Sequence, residues 1–169
     1  MSNNIVSPTD LQLNDETVVQ IKRVSKATTG GRRMGFTAIV VVGDGKGHVG
    51  IGFGKANEVA AAVNKAKSSA KKRIFKVPLI KGTIPHRLDI KFGSVKLMLK
   101  PASEGTGIIA GGSVRAIMEQ LGVSNILAKN TGSTNPINVV KAVEHGLKDL
   151  RDPLEVSRQR GIKLTELFN

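Results

Sequence analysis

With 169 residues, 40% of them hydrophobic, the chain has the apolar material for a core and the length for one medium domain or two small ones, which excludes a disordered basic tail. Having no Cys, it can form neither disulfides, nor thiolate metal sites, nor a cysteine nucleophile, which fits a reducing compartment. The net charge is +13, and it is concentrated: from Lys22 to Lys100 there are 18 Lys/Arg against Asp44, Glu58 and Asp89, a net of +15, while the remainder stands at −2. Self-repulsion on that scale calls for a polyanion, and the first half is the anion-binding half. No apolar run approaches the roughly 20 residues that cross a bilayer. The polar first twenty residues, with Asp10, Asp15 and Glu16, read as neither a signal nor a transit peptide.

Residues 1–15 mix Ser, Asn, Pro and Asp without periodicity and read as a mobile arm. Thr17 to Lys26 is rich in Val and Ile and predicts a strand. A charged glycine turn follows from Ala27 to Arg33, then a second strand from Phe36 to Val42. Asp44-Gly45-Lys46-Gly47 signals a tight hairpin turn into a third strand, His48 to Phe53, where glycines alternate with Val49, Ile51 and Phe53. Asn57 is the expected cap of a helix running to about Arg73, with Val59, Ala62, Val63, Ala66, Ala70 and Ile74 on its apolar face. The first unit therefore reads β-β-β-α and spans 16–79.

After a linker at 80–85, Arg87 to Phe92 and Ser94 to Leu99 read as strands. A glycine-rich loop, Glu104 to Gly112, leads to a helix capped by Ser113, with Val114, Ile117, Met118 and Leu121 apolar and Gly122 as its left-handed stop. Ile126 to Ala128 suggests a strand, and Asn135-Pro136 starts a helix that buries Val139, Val140, Val143, Leu147 and Leu150. The second unit, 86–152, reads β-β-α-β-α, and the tail, 153–169, has room for a short helix. The fold class expected is α+β, two small two-layer units.

The best single site candidate is Gly30-Gly31-Arg32-Arg33. Two glycines let the backbone approach a phosphate closely, and two guanidiniums can fork onto its oxygens. In isolation it reads equally as a solvated hairpin tip. With Lys22, Arg23, Lys26, Lys46 and Lys55 in the same unit, the phosphate-contact reading prevails. The helix cations Lys65, Lys67, Lys71, Lys72 and Arg73 would be ordinary solubilising residues if Glu were interleaved, but acids are nearly absent beside them. With five Phe, no Tyr and no Trp, base stacking has little to work with, so recognition should run through phosphates, 2′-hydroxyls and folded shape.

Enzyme readings lack material. Gly105-x-Gly107-x-x-Ala110 formally matches a dinucleotide fingerprint, but Pro101 to Glu104 separates it from the preceding strand, and Ser124 to Lys129 holds no ribose-binding acid. Gly45-Lys46 and Gly54-Lys55 lack the spacing and hydroxyl of a phosphate loop. His48, His86 and His145 gain no nucleophile or third ligand from nearby sequence. No catalytic residue, metal, cofactor or small-molecule substrate is expected.

Several runs in register carry a resemblance: GGRR at 30–33, VVGDGKG at 41–47, GKA at 54–56, GTIPH at 82–86, KPASEGTG at 100–107 and GSTNPINVV at 132–140. Their order from about Glu16 to Leu150 resembles the bacterial-type small-subunit ribosomal protein five family. The resemblance implies a first domain related to double-stranded-RNA-binding domains and a second α/β domain typical of the family. It implies binding to small-subunit ribosomal RNA where head meets body, contacts with small-subunit proteins four and eight, an influence on decoding accuracy, and a place in cytoplasmic ribosomes. It places the loop from Thr28 to Arg33, with Thr29, Gly30, Gly31 and Arg32, near the spectinomycin site. It also places Glu104, Gly105, Thr106, Gly107 and Arg115 at the contact with protein four. Thr29 stands where the family usually has a basic residue, and Met34-Gly35 where it often has Phe-Ser. Two rivals remain at this level: a free-standing regulator that binds RNA duplexes, and a nucleotide-dependent enzyme using the Gly105–Gly112 loop.

Overall fold

A computed structural model describes residues 11–167. Two four-stranded sheets organise the chain. The first is antiparallel throughout and contains β1 (Thr17–Thr28), β2 (Gly31–Gly43), β3 (His48–Ala56) and β4 (Phe75–Lys76), in that order, with α1 (Val59–Lys71) between β3 and β4. The second contains β5 (Leu88–Phe92), β6 (Val95–Pro101), β7 (Ile108–Ile109) and β8 (Ile126–Gly132), in the order β5-β6-β8-β7. Its β7 runs parallel to β8. The helices of this half are α2 (Gly112–Leu121) and α3 (Pro136–Lys148), followed by α4 (Pro153–Arg160) and α5 (Leu164–Leu167).

The α+β reading holds, and the differences are local. Two-residue strands such as β4 and β7 are too short for a hydrophobic period to announce them. Asn57 is not the cap of α1; Glu58 takes that place with no side-chain bond, and Val59 is exposed. Ser113 is not the cap of α2 either, because the helix begins two residues earlier than such a cap implies, after an extended Gly111. At α3 the signal was sufficient: the Asn135 side chain accepts from the Ile137 N–H, with Pro136 at the first position. Of the arm expected over 1–15, residues 1–10 lie outside the described residues. Leu11 and Leu13 pack against the core under α1, and the Asn14 N–H donates to the Gly43 carbonyl at 2.8 Å.

The first sheet is buried on both faces, which explains the unbroken apolar run of β2. Ala38, Val40 and Val42 share a face with Gly50, Gly52 and Gly54 of β3 and meet Ala62, Ala66, Ala70 and Ile74. Ile39, Val41, Val49 and Ile51 point the other way, into a core shared with Val114, Ile117 and Leu121 of α2, Val140 and Val143 of α3, and Val95, Leu97 and Leu99 of β6. The layers thus stack as α1, first sheet, α2 with α3, second sheet.

Contact between α1 and β3 is unusually close. A Cβ built on Gly50, Gly52 or Gly54 would fall 2.4, 1.9 or 2.1 Å from the carbonyl oxygen of Ala70, Ala66 or Ala62. No side chain fits there, so the glycines that alternate with Val49, Ile51 and Phe53 are what admits the helix.

The two halves are clasped by the β2–β3 turn. The N–H groups of Gly45 and Gly47 donate to the carbonyls of Gln120 (3.1 Å) and Leu121 (3.0 Å), satisfying orphan acceptors at the end of α2. Gly122 closes that helix at φ 85°, and a Cβ there would stand 2.0 Å from the Gly45 carbonyl oxygen. Buried Gln120 adds a polar tie: its Nε2 donates to the Asp15 carbonyl (3.0 Å) and the Thr17 hydroxyl (2.8 Å).

Gly52→Ala is expected to lower the unfolding free energy by about 3 kcal/mol, because the intruding methyl meets backbone that cannot move alone. Gly30→Ala, with nothing within 4 Å of the added methyl, should stay within about 0.5 kcal/mol. Urea titration of both variants against the parent measures the difference.

Candidate nucleic-acid interface

β1 and β2 outrun their support. Beyond the row formed by Arg23, Phe36 and Ala56 only these two strands remain, and they continue as a ribbon for roughly 15 Å, five residues at ~3.3 Å each. Residues 25–34 are exposed throughout. At the tip the Thr28 hydroxyl donates to the Gly31 carbonyl at 3.1 Å, and Gly31 adopts φ 135°, which a side chain would resist.

The register sorts the candidate residues. Arg32 and Arg33 are strand residues, not loop residues: they pair with Ala27 and Lys26 and therefore point to opposite faces. One face carries Lys26 opposite Arg33, then Val24 opposite Gly35, then Lys22, Thr37 and Lys55 in one row. Lys22, Lys26, Arg33 and Lys55 thus share a face, and Lys26, Arg33 and Lys55 line a hollow of about 260 Å³ together with Val24, Gly35 and Asn57. The reverse face carries Arg23 and Arg32. Thr29 and Gly30 form the tip itself. Among the described residues none of these six cations enters an ion pair. Of the α1 lysines, Lys67 is paired with Glu16 at 2.6 Å, and that hydrogen bond holds the Glu16 carboxyl below its usual value.

Lys46 is not with them. It sits on the β2–β3 turn at the other end of β2, roughly 40 Å from the ribbon tip by ~3.3 Å per residue. The acid beside it organises that turn. Asp44 accepts from the N–H groups of Lys46 (2.7 Å) and His48 (3.0 Å), and its second oxygen meets His48 Nδ1 at 2.6 Å. Burial pushes the Asp44 carboxyl up, but these hydrogen bonds outweigh it and hold it below its ordinary value.

Glu104, Gly105, Thr106, Gly107 and Arg115 come together at one corner of the second half. The Thr106 hydroxyl donates to the Ser103 carbonyl (2.8 Å), and Arg115 Nη2 reaches back to the Ile108 carbonyl (3.0 Å). Glu104 and Gly105 are exposed at the apex. Buried Asn125 anchors the loop by accepting from the Gly107 N–H at 3.0 Å. Sequence reasoning passed over both Asn125 and Gln120. A polar side chain signals such a role only through its burial, which is a tertiary property. The histidines are spent structurally: His86 Nε2 accepts from the Arg151 N–H at 3.3 Å, and His145 stacks on Phe92.

Comparison with known proteins bears on both halves. A family model described as "Ribosomal protein S5, N-terminal domain" matches residues 14–78, and "Ribosomal protein S5, C-terminal domain" matches residues 90–160. Small ribosomal subunit protein uS5 of Bacteroides thetaiotaomicron is 46% identical over 168 residues, covering 99% of this chain and 97% of that protein. The protein of the same name from Syntrophobacter fumaroxidans is 55% identical over 157 residues, covering 93% and 94%. That from Rubrobacter xylanophilus is 51% identical over 147 residues, covering 87% and 74%.

Because the folded value of Asp44 lies below its unfolded one, the stabilisation is complete above the ordinary carboxylate range and is lost as pH falls through the folded value. The unfolding free energy of Asp44→Ala should trail the parent by about 2 kcal/mol at pH 7. That gap should close below about pH 4, which denaturant titrations across pH 2.5–7 (roughly the carboxylate range) would follow.

Proposed function

The chain belongs to the ribosomal protein S5 family, and from that premise we propose that it docks on small-subunit ribosomal RNA through the basic face of the β1–β2 ribbon. Membership makes it a component of the small ribosomal subunit, an RNA-binding structural protein associated with ribosomal RNA and other ribosomal proteins, and not an enzyme. The observation that carries the docking assignment is the gathering of Lys22, Lys26, Arg33 and Lys55 on one exposed face, none of them in an ion pair among the described residues. A two-stranded ribbon is a narrow projection that can follow folded RNA, and its cations release condensed counterions as they replace them at phosphates. The tip residues Thr29, Gly30 and Gly31 let backbone approach RNA where a bulkier loop would stand off. Arg23 and Arg32, on the reverse face, reach a second RNA segment.

The site so defined lies, in this reading, at the junction of the subunit's head and body. Small-subunit protein four meets the corner built from Glu104 to Gly107 and Arg115, and protein eight also contacts the second half. The clasp of Gly45 and Gly47 on α2 supports a mechanical role: an interface at one end is rigidly tied to an interface at the other. An influence on decoding accuracy follows if the two interfaces favour different subunit conformations, so that their relative strength shifts a population.

Lys26→Gln with Arg33→Gln should reduce the salt dependence of binding to small-subunit ribosomal RNA by about 1.5 in the log–log slope, at roughly 0.7–0.9 per phosphate contact. Lys46→Gln should leave that slope unchanged. Equal losses from both would remove the ribbon assignment. Sedimentation of tagged protein distinguishes the structural role from a free duplex binder: stoichiometric migration with small subunits through a moderate-salt wash is expected, and protein left at the top of the gradient would contradict it.

A further inference from the structure

β3 ends where the ribbon begins, and its departure leaves a notch. Ala56 pairs with Phe36, after which the chain turns away into α1, so Gly35 is the first residue of β2 with no neighbour on that side. In an antiparallel strand every second residue points its N–H and C=O to a given edge. From Gly35 to Arg33 this edge of β2 faces no other strand. Its hydrogen-bonding groups therefore open on the notch instead of entering a ladder. Gly35 also leaves out the side chain that would fill the space: a Cβ there would stand 3.2 Å from the Ala56 carbonyl oxygen and 3.9 Å from Val24 Cγ2.

The result is the hollow of about 260 Å³ at the base of the ribbon. Val24, Gly35 and Ala56 give it an apolar lining, Lys26, Arg33 and Lys55 a cationic one, and no acid lines it. Asn57 completes it with an amide that α1 does not use, since Glu58 holds the cap position. At about 30 Å³ per water, the space equals about nine waters. That is too little for a drug-sized ligand, which takes about 300 Å³ or more, and enough for one flat heterocycle.

We propose that this hollow receives a single extrahelical nucleotide of RNA, its base against Val24, Gly35 and Ala56 and its phosphates on Lys26, Arg33 and Lys55. The proposal rests on the chain's docking on RNA through the ribbon. It adds base recognition to a surface that composition alone assigns to phosphates. Folded RNA offers splayed-out bases, which proteins bind by stacking on flat groups such as a guanidinium and by hydrogen bonds to base edges. Arg33 supplies the plane. The Asn57 amide and the open edge of β2 supply donors and acceptors. No Tyr or Trp is required. Contact with phosphate alone would need neither the apolar lining nor an amide. A nucleotide already unpaired is also the one that costs least to draw out of a stack.

The test measures binding of the full chain to an RNA duplex carrying one bulged nucleotide, with each base in turn, against the fully paired duplex of equal length. The parent should bind the best bulged duplex about tenfold more tightly, the scale of one stacked base. Gly35→Val, which fills the hollow, should abolish that preference and keep the parental salt slope, because no cation is lost. Lys26→Gln with Arg33→Gln should lower the slope on both duplexes by about 1.5. Equal parental affinity for bulged and paired duplexes, with the slope still falling in the double variant, overturns this proposal and leaves the ribbon assignment standing. An unchanged slope in the double variant overturns both. A free nucleoside 5′-monophosphate that binds the parent as tightly as the bulged duplex does would assign the hollow to soluble nucleotides and overturn its assignment to RNA. Should Gly35→Val fail to fold, Asn57→Ala takes its place. It should flatten the discrimination among the bulged bases without moving the slope, and undiminished discrimination would count against the hollow.

Discussion

The approach of α1 to β3 sets the terms for the rest of the molecule. Alternate strand residues repeat every ~6.6 Å and every fourth helix residue every 6 Å or so. Gly50, Gly52 and Gly54 therefore stay in step with Ala70, Ala66 and Ala62 along the contact. Methyl-sized helix residues against absent strand side chains bring backbone to backbone, so the helix seats at a single depth. With one face of the first sheet sealed by so thin a layer, its other face is free to bury Ile39, Val41, Val49 and Ile51 against α2 and α3. A sheet covered on both sides has nowhere to put charge except at its ends, and it is there, on the ribbon, that Lys22, Lys26, Arg33 and Lys55 stand.

The two ends of β2 consequently do different work. One end leaves the core as a ribbon whose residues are solvated on both faces. The other returns as a turn held by Asp44 and docked on the last carbonyls of α2. Both bear glycine and basic residues, and along the sequence they look alike. Their surroundings separate them: Gly45 and Gly47 have their N–H groups committed to Gln120 and Leu121, whereas a Cβ built on Gly30 or Gly31 would meet nothing within 4 Å. The backbone at the turn is structural and the backbone at the tip is available.

Most of the element order was legible because it depends on local rules. The β-branched runs of the first three strands, the αL stop at Gly122 and the Asn135-Pro136 start all act through neighbours within a few residues. The errors fell where a local rule had a competitor. Asn57 and Ser113 are good caps by type, but α1 and α2 start after Glu58 and Gly111, neither of which makes a side-chain cap bond. β4 and β7 exist only as partners of β3 and β8. Of the candidate site, the residue types and the basic half were legible; the separation of Lys46 and the split of Arg32 from Arg33 were not, since both depend on pairing between distant residues.

By itself the sequence determined the chemistry of this protein: a cysteine-free, aromatic-poor, strongly basic chain with two apolar units can recognise a polyanion through phosphates and has little with which to catalyse. It also determined the family, because long runs in fixed order are shared along nearly the whole chain. Only the tertiary structure decided which cations share a face. A strand's side chains alternate between faces, and a partner strand is chosen by register over tens of residues, so adjacent Arg32 and Arg33 part company while Arg33 joins Lys26 and Lys55. The same pairing opposes Lys91 to Lys96 across a hairpin and turns both away from the core. Charge along a chain adds locally, but charge on a surface adds through the fold.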